Sequence, residues 1–141
     1  MIISREESFA TDELFELYGS VGWSGYIRDM AKLQRSLSNS HLVITARDDS
    51  DRLVGLARTI SDDETICYLQ DLLVHSECQG RGIGRALLEH LTDRYSHCTF
   101  FLLSTEHEST SDGKKSHAFY RKMGLIPHHE QGMAALGLKI G

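Results

Sequence analysis

Proline is nearly absent from the chain, which has one in 141 residues. With no Ser/Gly tract and no long run of like charge, it also lacks the composition of a disordered segment. The three cysteines are an odd number and form no C-x-x-C pair. That argues against a disulfide framework and predicts reduced thiols in a cytoplasmic protein. No uninterrupted apolar run is longer than Phe100-Phe101-Leu102-Leu103, so no membrane-spanning helix is expected. Met1-Ile2-Ile3-Ser4-Arg5 lacks the basic-then-apolar order of a signal peptide. Basic residues are outnumbered, 15 Lys and Arg against 20 Asp and Glu, and the net charge is −5. No basic face is visible, so nucleic acid is not an expected partner. An acidic balance instead suits a cationic, amine-bearing substrate. No repeat of 20 to 50 residues is visible, which excludes a solenoid. What is present is a hydrophobic fraction of 40%, enough for the core of a single domain spanning residues 1–141.

One stretch organises the rest. Ile66-Cys67-Tyr68-Leu69-Gln70-Asp71-Leu72-Leu73-Val74 is almost wholly apolar and reads as a strand. Gln79-Gly80-Arg81-Gly82-Ile83-Gly84 follows, with three glycines in five residues. Then Leu87, Leu88 and Leu91 recur at helical spacing. A strand, a glycine loop and a helix place unpaired backbone N–H groups and the positive end of a helix dipole together, which makes an anion site suited to phosphate. A Walker A loop needs Lys and then Ser or Thr after its last Gly, and here Arg85-Ala86 follow Gly84. A dinucleotide fingerprint beginning at Gly82 and Gly84 needs a third Gly where Leu87 stands.

Along the chain, Met1 to Ser8 reads as a first strand. Thr11 is the expected N-cap of a helix that ends at Gly19, with Leu14, Phe15, Leu17 and Tyr18 on its apolar face. A loop over Ser20 to Tyr26 carries Trp23 and Tyr26, and a second helix covers Asp29 to Leu37. Strands follow at His41–Ala46, Arg52–Ile60 and Thr65–Val74, joined by polar turns, which predicts an antiparallel meander. The post-loop helix is expected over Gly84–Tyr95 and a buried strand over Cys98–Ser104. The polar stretch from Ser104 to Ser116 is long enough that a functional role, mobility or partial helicity is expected. A short helix ends at Gly124, and a final strand is predicted over Met133–Ile140.

The segment Gln79 to Gly84 matches Gln/Arg-x-x-Gly-x-Gly/Ala, and the chain resembles the GCN5-related N-acetyltransferases, the GNAT superfamily. Leu69 to His75 is similar to that family's fourth strand. Phe119-Tyr120-Arg121-Lys122-Met123-Gly124-Leu125 is similar to its Phe-Tyr-x-x-x-Gly-Phe segment, with Leu125 in place of the last Phe and Gly113 where Asn is usual. The resemblance covers nearly the whole chain. It implies an α/β fold with a mixed, mostly antiparallel sheet of six to seven strands, about four flanking helices, and a V-shaped split between the fourth and fifth strands. Ser20-Val21-Gly22-Trp23 also resembles a subgroup that includes plant-type arylalkylamine N-acetyltransferases.

What the resemblance implies chemically is transfer of an acetyl group from acetyl-CoA to a primary amine of a small molecule. Gln79, Gly80, Arg81, Gly82, Ile83, Gly84 and Arg85 would hold the pyrophosphate. The pantetheine arm would pair with the edge of Leu72, Leu73 and Val74 as an added strand. A backbone N–H near Leu73 or Val74 would receive the oxyanion. Tyr120 is the expected general acid. Asp71 is the expected base or the residue that orders a base water, since Gln70 stands where the family often has Glu; His75 and Glu106 are further candidates. Trp23 and Tyr26 are expected to wall the acceptor site, and a homodimer is common in the family. Eight histidines invite a metal, but neither Glu106-His107-Glu108 nor His128-His129 has zinc-site spacing, and no metal is expected. A non-catalytic acyl-CoA-binding module and an enzyme acting on a protein or peptide amine are the alternatives.

Overall fold

The computed structural model describes residues 1–139. The chain forms two compact units, Met1–Ser104 and Thr105–Gly141.

The first unit is built on a five-stranded sheet in sequential order. Its strands are β1 (Ile2–Arg5), β2 (Leu42–Arg47), β3 (Leu53–Ser61), β4 (Ile66–Val74) and β5 (Phe100–Leu103). β1 to β4 are antiparallel neighbours, and β5 joins β4 in parallel. The helices of this unit are α1 (Thr11–Ser20), α2 (Ser24–Ile27), α3 (Met30–Ser38) and α4 (Ile83–Arg94). A parallel neighbour requires a crossover, and α4 supplies it between β4 and β5.

Leu14, Leu17 and Tyr18 recur at helical spacing on α1 and pack with Leu33 and Leu37 of α3 against Leu56 and Leu73 of the sheet. Thr11 proves to be the first helical residue of α1 and Ala10 its cap, because the Glu13 carboxylate reaches back to the Ala10 amide at 3.0 Å. Asp29 caps α3 by accepting from the Lys32 amide at 3.0 Å. On the opposite face, α4 buries Ile83, Leu87, Leu88 and Leu91. It lies so close to β3 at Gly55 that an added Cβ would stand 2.9 Å from Ile83 Cγ2.

The register between β3 and β4 slips once. Arg58 faces Asp71 and Thr59 faces Leu69, which leaves Gln70 as an extra residue in β4. This is a β-bulge. Side chains directly opposite share a face, so Asp71 and Leu73 lie with Arg58 and Leu56 on the α1–α3 face. Leu69 and Cys67 share the face of Thr59, whose hydroxyl meets that of Tyr95, the residue after α4. Without the bulge, Leu69 and Asp71, two residues apart, would lie on one face.

β4 and β5 pair only over Ile66–Leu69 and Phe100–Leu103. Beyond Leu69, β4 runs on to Val74 with no neighbour on its β5 side among the described residues. That is the expected split between the fourth and fifth strands.

The second unit contains α5 (Ser111–Lys122) and a 3₁₀ turn over His128–Gln131. The long polar stretch after Ser104 is thus partly helical. Thr110 caps α5 by accepting from the Gly113 amide at 2.9 Å. A Cβ at Gly113 would lie 1.8 Å from the His107 carbonyl oxygen, so only glycine fits there.

Five strands among the described residues replace the six to seven expected. Met133–Lys139 is not a strand, and Ile140 lies outside the described residues. Leu136 and Leu138 are 97% and 95% exposed, so the apolar side chains of this segment are not covered as those of a packed strand would be. Just before it, Pro127 offers no N–H to a ladder and leads into the 3₁₀ turn. Among the described residues five α-helices replace about four; the additional one is α2, inside the stretch expected to be a loop.

Candidate active site

β4 ends at Val74, and the chain then turns through Ser76–Cys78 into the glycine loop. Gly80 and Gly82 have φ of 78° and 81°, in the left-handed region where a side chain is strained. An added Cβ at either would meet nothing within 4 Å, so backbone conformation, not room, calls for glycine. Gly82 is the N-cap of α4, and the first helical bond runs from the Ala86 amide to the Gly82 carbonyl at 3.0 Å. The amides of Ile83, Gly84 and Arg85 precede that bond and have no helical acceptor. No side chain caps this end. Arg81 and Arg85 are exposed beside it; Arg85 is held to Glu89 at 2.8 Å. Gln79 donates to the Val74 carbonyl at 3.1 Å and ties the loop to the strand end. Cys78 is buried beside the loop, and Cys98, ahead of β5, is half-buried.

The bulge carries the second half of the site. Asp71 is 2% exposed and Arg58 7%. Arg58 Nε donates to Asp71 Oδ2 at 2.5 Å, Tyr18 donates to the same oxygen at 3.0 Å, and Tyr26 donates to Oδ1 at 2.7 Å. Burial pulls the Arg58 guanidinium toward losing its proton, but the Asp71 charge and the hydrogen bonds to Asp71 and Tyr26 outweigh it, and its pKa is raised. Burial, then the Asp71 charge, push the Tyr18 phenol well above its ordinary value. Asp71 is therefore engaged on both oxygens by three donors. Arg58 and Tyr18 complete this cluster, and neither was singled out from the sequence. Arg58 did leave a signal, since a lone charge inside the apolar run Leu53–Ile60 needs a buried counter-charge.

Tyr18, Trp23 and Tyr26 stand with ring centroids 5.2 to 6.2 Å apart. Trp23 and Tyr26 line a groove of about 420 Å³ with Gly25, Asp29, Lys32, Leu33 and Ser36. Arg58 also lies 5.7 Å from the centre of the Tyr26 ring. The two residues expected from the sequence to wall an acceptor site are thus brought together, beside the bulge.

His75 is buried, and its Nδ1 accepts from the Glu77 amide at 3.1 Å, so it shapes the turn into the loop. Glu106 is exposed in the second unit. Tyr120, also in the second unit, lies on α5 against Phe119, and burial pushes its phenol up to about 12. Among the described residues no three His, Cys, Asp or Glu side chains are grouped to hold a metal ion, and no helix is long and apolar enough to cross a membrane.

The sequence profile of the Acetyltransferase (GNAT) family matches residues 8–125. The chain belongs to the GNAT family. The N-acetyltransferase ycf52 of Porphyra purpurea is 31% identical over 138 residues, covering 93% of this chain and 74% of that protein. A GNAT-family acetyltransferase of Streptococcus pneumoniae superposes with a TM-score of 0.82 at 27% identity, over 99% of this chain and 97% of its own. Two plant proteins match over little more than half of the chain. One is serotonin N-acetyltransferase 2 of Oryza sativa, chloroplastic, 33% identical over 55% of this chain and 40% of that protein. The other is a histone acetyltransferase of Glycine max, 34% identical over 56% of this chain and 38% of that protein. This GNAT protein is an acetyl-CoA-dependent N-acetyltransferase.

Proposed function

We propose that the protein moves an acetyl group from acetyl-CoA directly onto a primary amine of a small molecule. The observation that carries this reading is the free edge of β4 from Gln70 to Val74, which runs into the left-handed glycine loop and has an aromatic groove beside its bulge. The loop from Gln79 to Arg85 would take the pyrophosphate on the amides at the start of α4, with Arg81 and Arg85 adding charge. Leu72, Leu73 and Val74 would receive the pantetheine arm as a neighbouring strand. The thioester then lies by the bulge, where a free-edge amide N–H, of Leu72 or Val74, would stabilise the oxyanion; that of Leu73 points into the ladder with β3, as that of His75 does toward the Val54 carbonyl.

The amine nitrogen forms its bond to the acetyl carbon as the C–S bond breaks. One proton leaves the nitrogen for solvent and one reaches the departing thiolate. Asp71 is a poor partner for the first, because protonating it would leave Arg58 as a buried, uncompensated cation. We assign it instead to holding the bulge and its tyrosines. Tyr120 stays the candidate donor for the thiolate on the match of its segment to the family motif. The groove carries Asp29 and Lys32 at its margin, and the Trp23 and Tyr26 rings within it suit a small amine with an apolar body. Three unpaired cysteines fit a reducing compartment, and we place the protein in the cytoplasm; a homodimer is proposed on the family's habit alone.

The test is thiol release from acetyl-CoA against arylalkylamines, polyamines, an aminoglycoside and a lysine peptide. Turnover with the small amines is expected. Acetyl-CoA binding without turnover would make the protein a binding module, and turnover with the peptide alone would overturn the small-molecule assignment.

A further inference from the structure

The Gln70 side chain stands where β4 bulges, at the start of the free edge. Its amide nitrogen donates to the Tyr26 hydroxyl at 3.2 Å. That orientation is forced by the groups behind it. Tyr26 has one hydroxyl proton, and it is spent on Asp71 Oδ1 at 2.7 Å. Its oxygen can therefore only accept from other neighbours, and Arg58 Nη2 already donates to it at 3.3 Å. The Gln70 atom facing Tyr26 must be the donor, so the nitrogen points inward and the carbonyl oxygen points away. Gln70 is exposed, and among the described residues its carbonyl oxygen has no protein partner.

We propose that Gln70 is the residue that positions the acceptor amine, its side-chain carbonyl oxygen accepting an N–H of the neutral amine beside the thioester. Arg58 and Asp71 act through Tyr26 to hold the amide in that orientation. The inference rests on acetyl transfer occurring at this edge of β4. An amide oxygen accepts a hydrogen bond but takes no proton, so Gln70 orients the nitrogen and the proton itself leaves to water. The four residues form one chain of contacts: Arg58 to Asp71, Asp71 to Tyr26, and Tyr26 to Gln70.

Gln70→Met keeps length and removes the acceptor. With an amine that the wild-type protein acetylates, kcat/KM for the amine should fall on the order of tenfold, as for the loss of one neutral hydrogen bond. The calorimetric Kd for acetyl-CoA and the melting temperature should not move. Tyr26→Phe releases the amide to rotate and should give a smaller loss. The Gln70→Met/Tyr26→Phe double variant should be no worse than Tyr26→Phe and Gln70→Met combined through a shared contact, meaning clearly less than the product of the two single effects. An unchanged amine kcat/KM in Gln70→Met, or fully multiplicative losses in the double variant, would overturn the proposal while leaving acetyl transfer intact. A wild-type protein that releases no thiol with any amine would instead remove the functional reading, and this inference with it.

Discussion

Replacing Asp71 by Asn removes one negative charge from a place that holds an arginine away from water. The shape is kept, but the guanidinium of Arg58, 7% exposed, then has no counter-ion, and the new amide group turns a donor toward donors. Breaking one partner of a buried ion pair costs about 3–5 kcal/mol, and because both members are buried little of that is screened by solvent. Against a typical total stability of about 5–15 kcal/mol this is a large fraction. For a chain of this length it corresponds to a fall in Tm of roughly 10–20 °C. Urea unfolding followed by circular dichroism measures it, as a lower midpoint with an unchanged slope. The double variant Arg58→Met/Asp71→Leu should recover much of the loss, since removing both charges strands neither. It should not recover all of it, because the buried Tyr18 hydroxyl loses its acceptor, at about 1–3 kcal/mol. An Asp71→Asn protein within about 0.5 kcal/mol of wild type, the range of an ordinary surface change, would show that the pair is not desolvated in solution and would refute the reasoning.

Gly82→Asp should abolish most acetyl-CoA affinity by calorimetry while the circular dichroism spectrum stays native, because it adds a carboxylate at the loop's anion site and strains a φ of 81°. Gly82→Asn puts an uncharged side chain of the same shape at that φ, so it should lose far less; equal loss in both would point to strain instead of charge. Trp23→Ala should raise the amine KM more than the acetyl-CoA KM, and a change in thermal stability alone would return Trp23 to packing. Tyr120→Phe should lower kcat by roughly 10²–10⁴-fold with little change in the acetyl-CoA KM. The Tyr120 pKa is raised to about 12, so its proton is lost only as pH climbs through that value, and the wild-type profile should show no loss from this group below about pH 10. A Phe variant with wild-type kcat would leave solvent as the proton donor.

The parts of this protein that the sequence disclosed are those governed by local chemistry. Gly80 and Gly82 announce a turn because few other residues adopt positive φ, and the leucines of α4 announce a helix by their spacing. Strand and helix limits fell within one or two residues for β2, β3, β4 and α3. The bulge at Gln70 is different in kind. It exists only in the register between two strands, and nothing within β4 marks which residue is extra. The same holds for Arg58 and Asp71, 13 positions apart in sequence and made neighbours by that register. Tyr18 reads as one more apolar residue of α1 because its hydroxyl's partner lies 53 positions away. Helix α2, four residues long, is too short for any periodicity to show. Met133–Lys139 has the apolar content of a strand, but a strand also needs an edge, and its composition alone could not supply that information.

Direct transfer is tested most simply by incubating the protein with acetyl-CoA carrying a ¹³C-labelled acetyl group and a primary arylalkylamine, and following both the amine and the intact protein by mass spectrometry. The account predicts labelled N-acetyl amine and free CoA in equal amounts, with no acetylated protein accumulating on the path. Labelled acetate in place of the amide, or an acetyl-enzyme that forms before the amine is added and is consumed when it arrives, would contradict it.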